Sequence, residues 1–132
     1  EKFPTQHTSA FNLGVLYHHD LKKYSRAEEQ YNEAIRRFPM DPLNYLGLHE
    51  LYRYSNKQDT AATVDILVAG MEVVPDDANM PIALAAYYRD DKKDYRASIE
   101  YIRKAIDVLK ENAGSPEKIK ALEGEAERLG KL

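Results

Sequence analysis

The sequence predicts an all-α protein in which three helical hairpins stack side by side and a seventh helix closes the row. First, one pattern of residues occurs three times at intervals of 35 or 36 positions. Second, apolar residues recur at three- and four-residue steps, which places them on one face of a helix. Third, prolines and short polar side chains stand where such helices begin and end. The first copy of the pattern reads Leu13-Gly14, Tyr17, Ala27, Tyr31, Ala34 and Pro39.

The two further copies keep the same register. The second copy reads Leu48-His49, Tyr52, Thr63, Leu67, Gly70 and Pro75, and the third reads Leu84-Ala85, Tyr88, Ser98, Ile102 and Ala105. A repeated hairpin of this length cannot bury its apolar face alone, so neighbouring copies are expected to pack against one another.

The first copy predicts two helices. One runs from Thr5 to His19, and the other follows a cap at Ser25 and ends at about Phe38. Pro39 then stops the chain from continuing as a helix.

The second copy opens with Asp41-Pro42, a side-chain cap followed by proline at the first helical position. That helix is expected to reach about Ser55, and Asn56-Lys57-Gln58 turn the chain. Either Asp59 or Thr60 then caps a helix that ends before Pro75.

In the third copy, Asn79 is the expected cap of a helix with Pro81 in its first turn, and a second helix follows Asp94. Ser115-Pro116 begins a last helix that does not continue the repeated pattern. A narrow apolar stripe on this helix predicts that it covers the open end of the stack. The stripe consists of Ile119, Leu122, Ala126 and Leu129.

The pattern resembles the tetratricopeptide repeat, a helix-turn-helix unit with the signature W-x2-L-G-x2-Y, A-x3-F and P. The resemblance spans Thr5 to Leu109 and implies an α-solenoid coiled as a right-handed superhelix of seven helices. The implied repeats cover residues 5–39, 42–75 and 78–111, with a capping helix at 115–131, in one domain of residues 1–132. His49 departs from the family pattern, which has a small residue at that position.

The resemblance also implies that the first helices line a concave groove, which would bind a peptide or helix of a partner protein without catalysing a reaction. Phe11 or Ile82 could instead be covered by a neighbouring repeat or the N-terminal segment. The expected groove residues are Phe11, Asn12, Val15, His18, Leu46, Glu50, Arg53, Tyr54, Ile82, Ala86 and Arg89.

One subset of the family grips the C-terminal carboxylate of heat-shock chaperones with lysine, asparagine and arginine side chains. The chain does not fit that pattern, because the matching positions hold Phe11, Val15, Gly47, Asn79 and Ala83. The resemblance therefore does not imply a chaperone tail as the partner.

An alternative function is self-association through the outer helix of the middle repeat. Ile66, Val68 and Val73 stand on that helix where the first repeat has polar residues. Such a helix could form a contact between copies of the chain, or these side chains could be half-exposed without a binding role.

The composition argues against several other functions. The net charge is −3, and the basic residues alternate with acidic ones, so no nucleic-acid partner is expected. The chain lacks cysteine, catalytic motifs and phosphate-binding loops, so no cofactor is expected. His18-His19-Asp20 is not expected to bind a metal, because adjacent residues of an α-helix point about 100° apart.

The sequence gives little information on location. Its longest apolar run, Ile66 to Met71, is too short to cross a bilayer, so no membrane insertion is expected. A soluble domain of the cytoplasm is favoured, although a targeting segment could precede Glu1 because the sequence does not begin with Met.

Overall fold

The computed structural model describes residues 6–55 and 59–132. These residues form seven α-helices and no strand, so the prediction of an all-α helical-repeat fold is confirmed. The start of the first helix at Thr5 and the turn at Asn56-Lys57-Gln58 lie outside the described residues. The helices are α1 (Gln6–Val15), α2 (Tyr24–Arg37), α3 (Pro42–Tyr54), α4 (Thr60–Val73), α5 (Asn79–Asp90), α6 (Tyr95–Glu111) and α7 (Pro116–Gly130). A π-helical turn, Leu16–Asp20, directly follows α1.

Side-chain caps fix the beginnings of four helices, and the caps at Asp41 and Asp59 agree with the sequence-based prediction. The Asp41 carboxylate accepts a hydrogen bond from the Leu43 N–H at 3.0 Å. Asp59, rather than Thr60, caps α4 and accepts from the Ala62 N–H. Asp94 caps α6, and Ser115 caps α7. Each cap satisfies a backbone donor that has no partner inside its helix.

Two predicted caps are wrong. Ser25 lies inside the first turn of α2, because Lys22 adopts a left-handed φ of 55° and the chain enters the helix directly after Lys23. Asn79 is the first residue of α5 and makes no cap. The carboxylate of Asp77 accepts the hydrogen bond from the Met80 N–H at 2.8 Å instead.

The described helices form two compact units, residues 1–74 and residues 75–132. The first unit holds α1 to α4, and the second holds α5 to α7. The organisation of residues 1–132 as one domain stays a prediction.

The core of the first unit is centred on the ring of Tyr31, which belongs to α2 and is 1% exposed. Ala27 of the same helix and Leu48 and Leu51 of α3 complete the buried cluster. A Cβ atom added to Gly14 of α1 would lie 2.8 Å from the Tyr31 ring, and one added to Gly47 of α3 would lie 2.6 Å from it. The ring therefore occupies space that only two glycines leave open.

The second unit has a core of its own. Ala85 of α5, Ile102 and Ile106 of α6, and Leu129 of α7 are buried together. Ile119, Leu122 and Ala126 of α7 pack against this cluster. The predicted apolar stripe of the last helix is therefore confirmed as its packing face.

In the second repeat and again in the third, a polar contact joins the two helices of the hairpin, and the two contacts lie at equivalent positions. In the second, Nδ1 of His49 lies 2.9 Å from the carbonyl oxygen of Thr63, and both residues are buried. In the third, the Ser98 hydroxyl donates to the carbonyl of Ala85 at 2.8 Å. His49 thus stands where the resemblance predicts a small residue, and its ring bonds to the backbone of the facing helix.

We predict that Gly14→Ala and Gly47→Ala each lower the free energy of unfolding by roughly 1–3 kcal/mol, because the added methyl group meets the Tyr31 ring. Gly124→Ala is the matched control, since nothing lies within 4 Å of its Cβ position. It should raise the free energy of unfolding by up to about 1 kcal/mol through helix propensity. Urea unfolding of the three variants measures these changes, and a stabilising effect at Gly14 and Gly47 would contradict the packing.

We also predict a loss of stability at alkaline pH that involves Tyr31. Burial, followed by the negative charge of Glu50, raises the pKa of Tyr31 from 10.0 to about 12. Because the folded state keeps the proton longer than the unfolded state, this contribution to stability is complete below pH 10 and decreases as pH rises towards 12.

Thermal melts at increasing pH test this prediction. Tyr31→Phe removes the titrating hydroxyl and should reduce the alkaline fall in Tm by a few degrees. Burial also raises the pKa of Tyr45 and of Tyr101, so part of the fall should remain. An identical fall in the variant and the parent would show that Tyr31 does not contribute.

Candidate functional site

The expected groove residues of the first unit lie on α1, the π turn and α3, and they differ in exposure. Asn12, Glu50 and Tyr54 are exposed, and Phe11, Val15, Leu46 and Arg53 are half-buried. His18 is buried, with 4% of its surface exposed. Helices α1 and α3 contact each other, so these residues come from neighbouring elements.

Phe11 and Val15 contribute to the core of the first unit. Both pack against the buried cluster around Tyr31, and the rings of Phe11 and Tyr31 meet edge to face with centroids 5.8 Å apart. The two apolar residues that were predicted to face the groove from α1 therefore pack partly against the core. Leu46 is the half-buried leucine that remains on the corresponding face of α3.

One polar and one aromatic residue, Glu50 and Tyr54, lie on the same side of α3 as Leu46. Residues 46, 50 and 54 share one side of α3, because four-residue steps bring side chains onto the same helix face. The guanidinium of Arg53 lies over the Tyr54 ring, 5.0 Å from its centroid. We call the set of Asn12, His19, Leu46, Glu50 and Tyr54 the α1/α3 face.

The two adjacent histidines lie in the π turn. The Leu21 N–H donates to the Leu16 carbonyl at 3.1 Å, five residues back, which defines the wider turn. The rings of His18 and His19 are stacked, with centroids 4.1 Å apart and an interplanar angle of 25°. The sequence-based argument that the two side chains diverge assumed a regular α-helix, and the π turn changes that geometry.

Glu50 joins this histidine pair from α3. Its Oε1 lies 3.3 Å from Nε2 of His19, and both side chains are about half exposed. One ligand atom from each of His18, His19 and Glu50 lies within 4.8 Å of the others. The pKa of His18 is lowered mainly by burial and to a smaller extent by the neighbouring His19, which favours the neutral form of His18.

In the second unit, Ile82 and Ala86 are half-buried on α5. Arg89 is paired with Asp90 at 2.7 Å and with Glu125 of α7 at 3.0 Å. The carboxylates of Asp90 and Glu125 raise the pKa of Arg89, and the hydrogen bond to Asp90 has the largest effect. The predicted groove cation therefore has an additional structural role in joining α5 to α7.

The residues proposed for self-association lie on α4. Val73 is 38% exposed, and Val68 is half-buried. Ile66 packs against the Tyr31 cluster, so its side chain is partly used inside the first unit.

One large hollow was not predicted from the sequence. It lies between α6 and α7, has a volume of about 780 Å³ and is lined by apolar Ile99, Ile106 and Ala126 together with charged residues of both signs. Lys110 and Glu123 form an ion pair at its edge. Because the lining residues are ordinary for an amphipathic helix pair, no signal in the sequence marks this hollow.

Comparison with known proteins supports the repeat assignment. The family model described as tetratricopeptide repeat matches residues 7–39 and 82–108, which correspond to the first and third repeats. No curated protein matches the chain. No described helix combines the length and the apolar composition that crossing a bilayer requires.

We predict that Phe11→Ala lowers the free energy of unfolding by about 1–3 kcal/mol, because it removes a half-buried ring and its edge contact with Tyr31. Asn12→Ala is the control, since Asn12 is the next residue of α1 and is exposed. Its effect should stay within about 0.5 kcal/mol. Equal effects of the two substitutions in urea unfolding would show that Phe11 does not support the core.

Proposed function

Because this chain belongs to the tetratricopeptide-repeat family, we propose that it is a non-enzymatic scaffold that binds a peptide or helix of a partner protein. Repeats of this family generally mediate protein–protein interaction. The observation that carries the proposal here is the α1/α3 face, which combines one half-buried leucine with exposed polar and aromatic side chains.

The composition of the α1/α3 face suits peptide binding. Tyrosine and arginine are enriched at protein interfaces, and Tyr54 is 57% exposed with the guanidinium of Arg53 over its ring. The exposed amide of Asn12 can both donate to and accept from a peptide backbone. Leu46 would provide the apolar contact for an anchor residue of the peptide.

In this proposal the peptide has one apolar anchor with polar groups on both sides. Phe11 and Val15 support the surface from below, since each is half-buried against the Tyr31 cluster. Glu50 would favour a basic or hydrogen-bond-donating group next to the anchor. Ile82, Ala86 and Arg89 remain proposed contributors from the second unit.

Self-association through α4 is the alternative proposal. Its support is that Val73 is 38% exposed on the same helix as half-buried Val68. Ile66 supports it less, because that side chain packs towards the core.

We predict that Leu46→Glu weakens peptide binding at least tenfold, because it places a charge where the anchor residue would be buried. A peptide array probed with the whole chain supplies ligands, and fluorescence anisotropy of labelled peptides measures affinity for parent and variant.

Val73→Glu is the matched control, since it makes the same kind of change on α4. It should keep the parent's peptide affinity, and sedimentation of the same variant tests self-association. Circular dichroism melts confirm that both variants are folded. A folded Leu46→Glu variant with undiminished affinity would rule out the α1/α3 face.

A further inference from the structure

The structure brings together three potential metal ligands that the proposed peptide-binding function does not require as a group. His18 and His19 come from the π turn, and Glu50 comes from α3. One ligand atom from each lies within 4.8 Å of the other two. Imidazole nitrogen and carboxylate oxygen are both common ligands of zinc in proteins.

The distances are near those that one ion requires. With metal–ligand bonds of about 2.0–2.1 Å, two ligands of a tetrahedral zinc ion lie about 3.3 Å apart. Nε2 of His19 and Oε1 of Glu50 are already 3.3 Å apart. The His18 nitrogen would approach by about 1.5 Å or less, a change that rotation of the stacked rings can supply.

His18 is an independent indication of a ligand. Its side chain is 4% exposed, and its Nδ1 has no hydrogen-bond partner among residues 6–55 and 59–132. A buried polar group in this state costs about 1–3 kcal/mol. The His18 ring packs edge to face against Tyr24 with centroids 5.9 Å apart, and a metal ligand needs an imidazole nitrogen that no other group occupies.

The π turn is the second indication. Single π-helical turns within α-helices are frequently found at functional sites, and here such a turn continues α1 to Asp20. Here the wider turn stacks the two histidine rings at 4.1 Å and directs His19 towards Glu50. A regular helical turn would point the two side chains about 100° apart.

We propose that His18, His19 and Glu50 form a binding site for a first-row transition-metal dication such as Zn²⁺, which ties the π turn to α3. Two nitrogens and one carboxylate leave a fourth coordination position open, and the side chains of His19 and Glu50 are about half exposed. Bound metal would stabilise the first unit, because the ion binds the folded chain and the unfolded chain does not assemble the three ligands.

The test uses the whole 132-residue chain without an affinity tag. Zinc chloride is titrated by calorimetry, and thermal melts are recorded with Zn²⁺ and with Mg²⁺. We expect Zn²⁺ to bind and raise Tm, and Mg²⁺ to leave Tm unchanged because it disfavours imidazole ligands.

His19→Ala and Glu50→Gln should each weaken Zn²⁺ binding at least about tenfold. Both side chains are about half exposed, so these variants should fold. Glu29→Gln is the control, since Glu29 is an exposed acid on α2, and it should keep the parent's affinity. Histidine ring signals in NMR report on His18 without substitution: those of His18 and His19 should shift with Zn²⁺, and those of His49 should not.

Two results would overturn the proposal. The first is no calorimetric or thermal response up to about 1 mM Zn²⁺. The second is binding that His19→Ala and Glu50→Gln leave unchanged, which would indicate ions held by surface carboxylates elsewhere. Peptide binding measured in a chelator is independent of both results, so a failure of the metal site does not affect the test of Leu46.

Discussion

The first unit depends on one steric relation, the ring of Tyr31 held between the backbones of two neighbouring helices. Gly14 and Gly47 each leave room that a methyl group would fill, with Cβ positions within 3 Å of the ring. Glycine normally weakens a helix by about 1 kcal/mol relative to alanine. The close approach of α1 and α3 to α2 offsets that cost, because it buries the Tyr31 ring. The ring buries more apolar surface than an alanine methyl group at either glycine position would.

The remaining repeats bury a different side chain at the matching position. Leu67 and Ile102 take the position of Tyr31, and both are buried. At the helix crossing, His49 bonds to the Thr63 carbonyl, whereas Ser98 bonds to the Ala85 carbonyl. The family model matches the first and third repeats and leaves the middle one, in which His49 replaces a small residue, outside its matched segments. The hairpin forms there nevertheless, because a buried histidine can satisfy a backbone carbonyl.

The fold could be predicted from the sequence because it depends on local signals and a strict register. Asp41 and Ser115 are followed by proline and cap their helices as the sequence indicates. The candidate site was less predictable. The burial of His18 follows from a π turn, in which a hydrogen bond skips one extra residue, and no residue type specifies that change. Phe11 has the spacing of a groove residue, yet its ring is long enough to reach Tyr31.

Several features that escaped prediction lie in the same part of the first unit. A buried histidine with an unpartnered nitrogen destabilises a fold unless another gain offsets it, and natural proteins tolerate such groups mainly at functional sites. The adjacent π turn is a second departure from regular structure, and Glu50 brings a charge to both. The combination of His18, the π turn and Glu50 therefore indicates a function for this end of α1 beyond holding the repeat together.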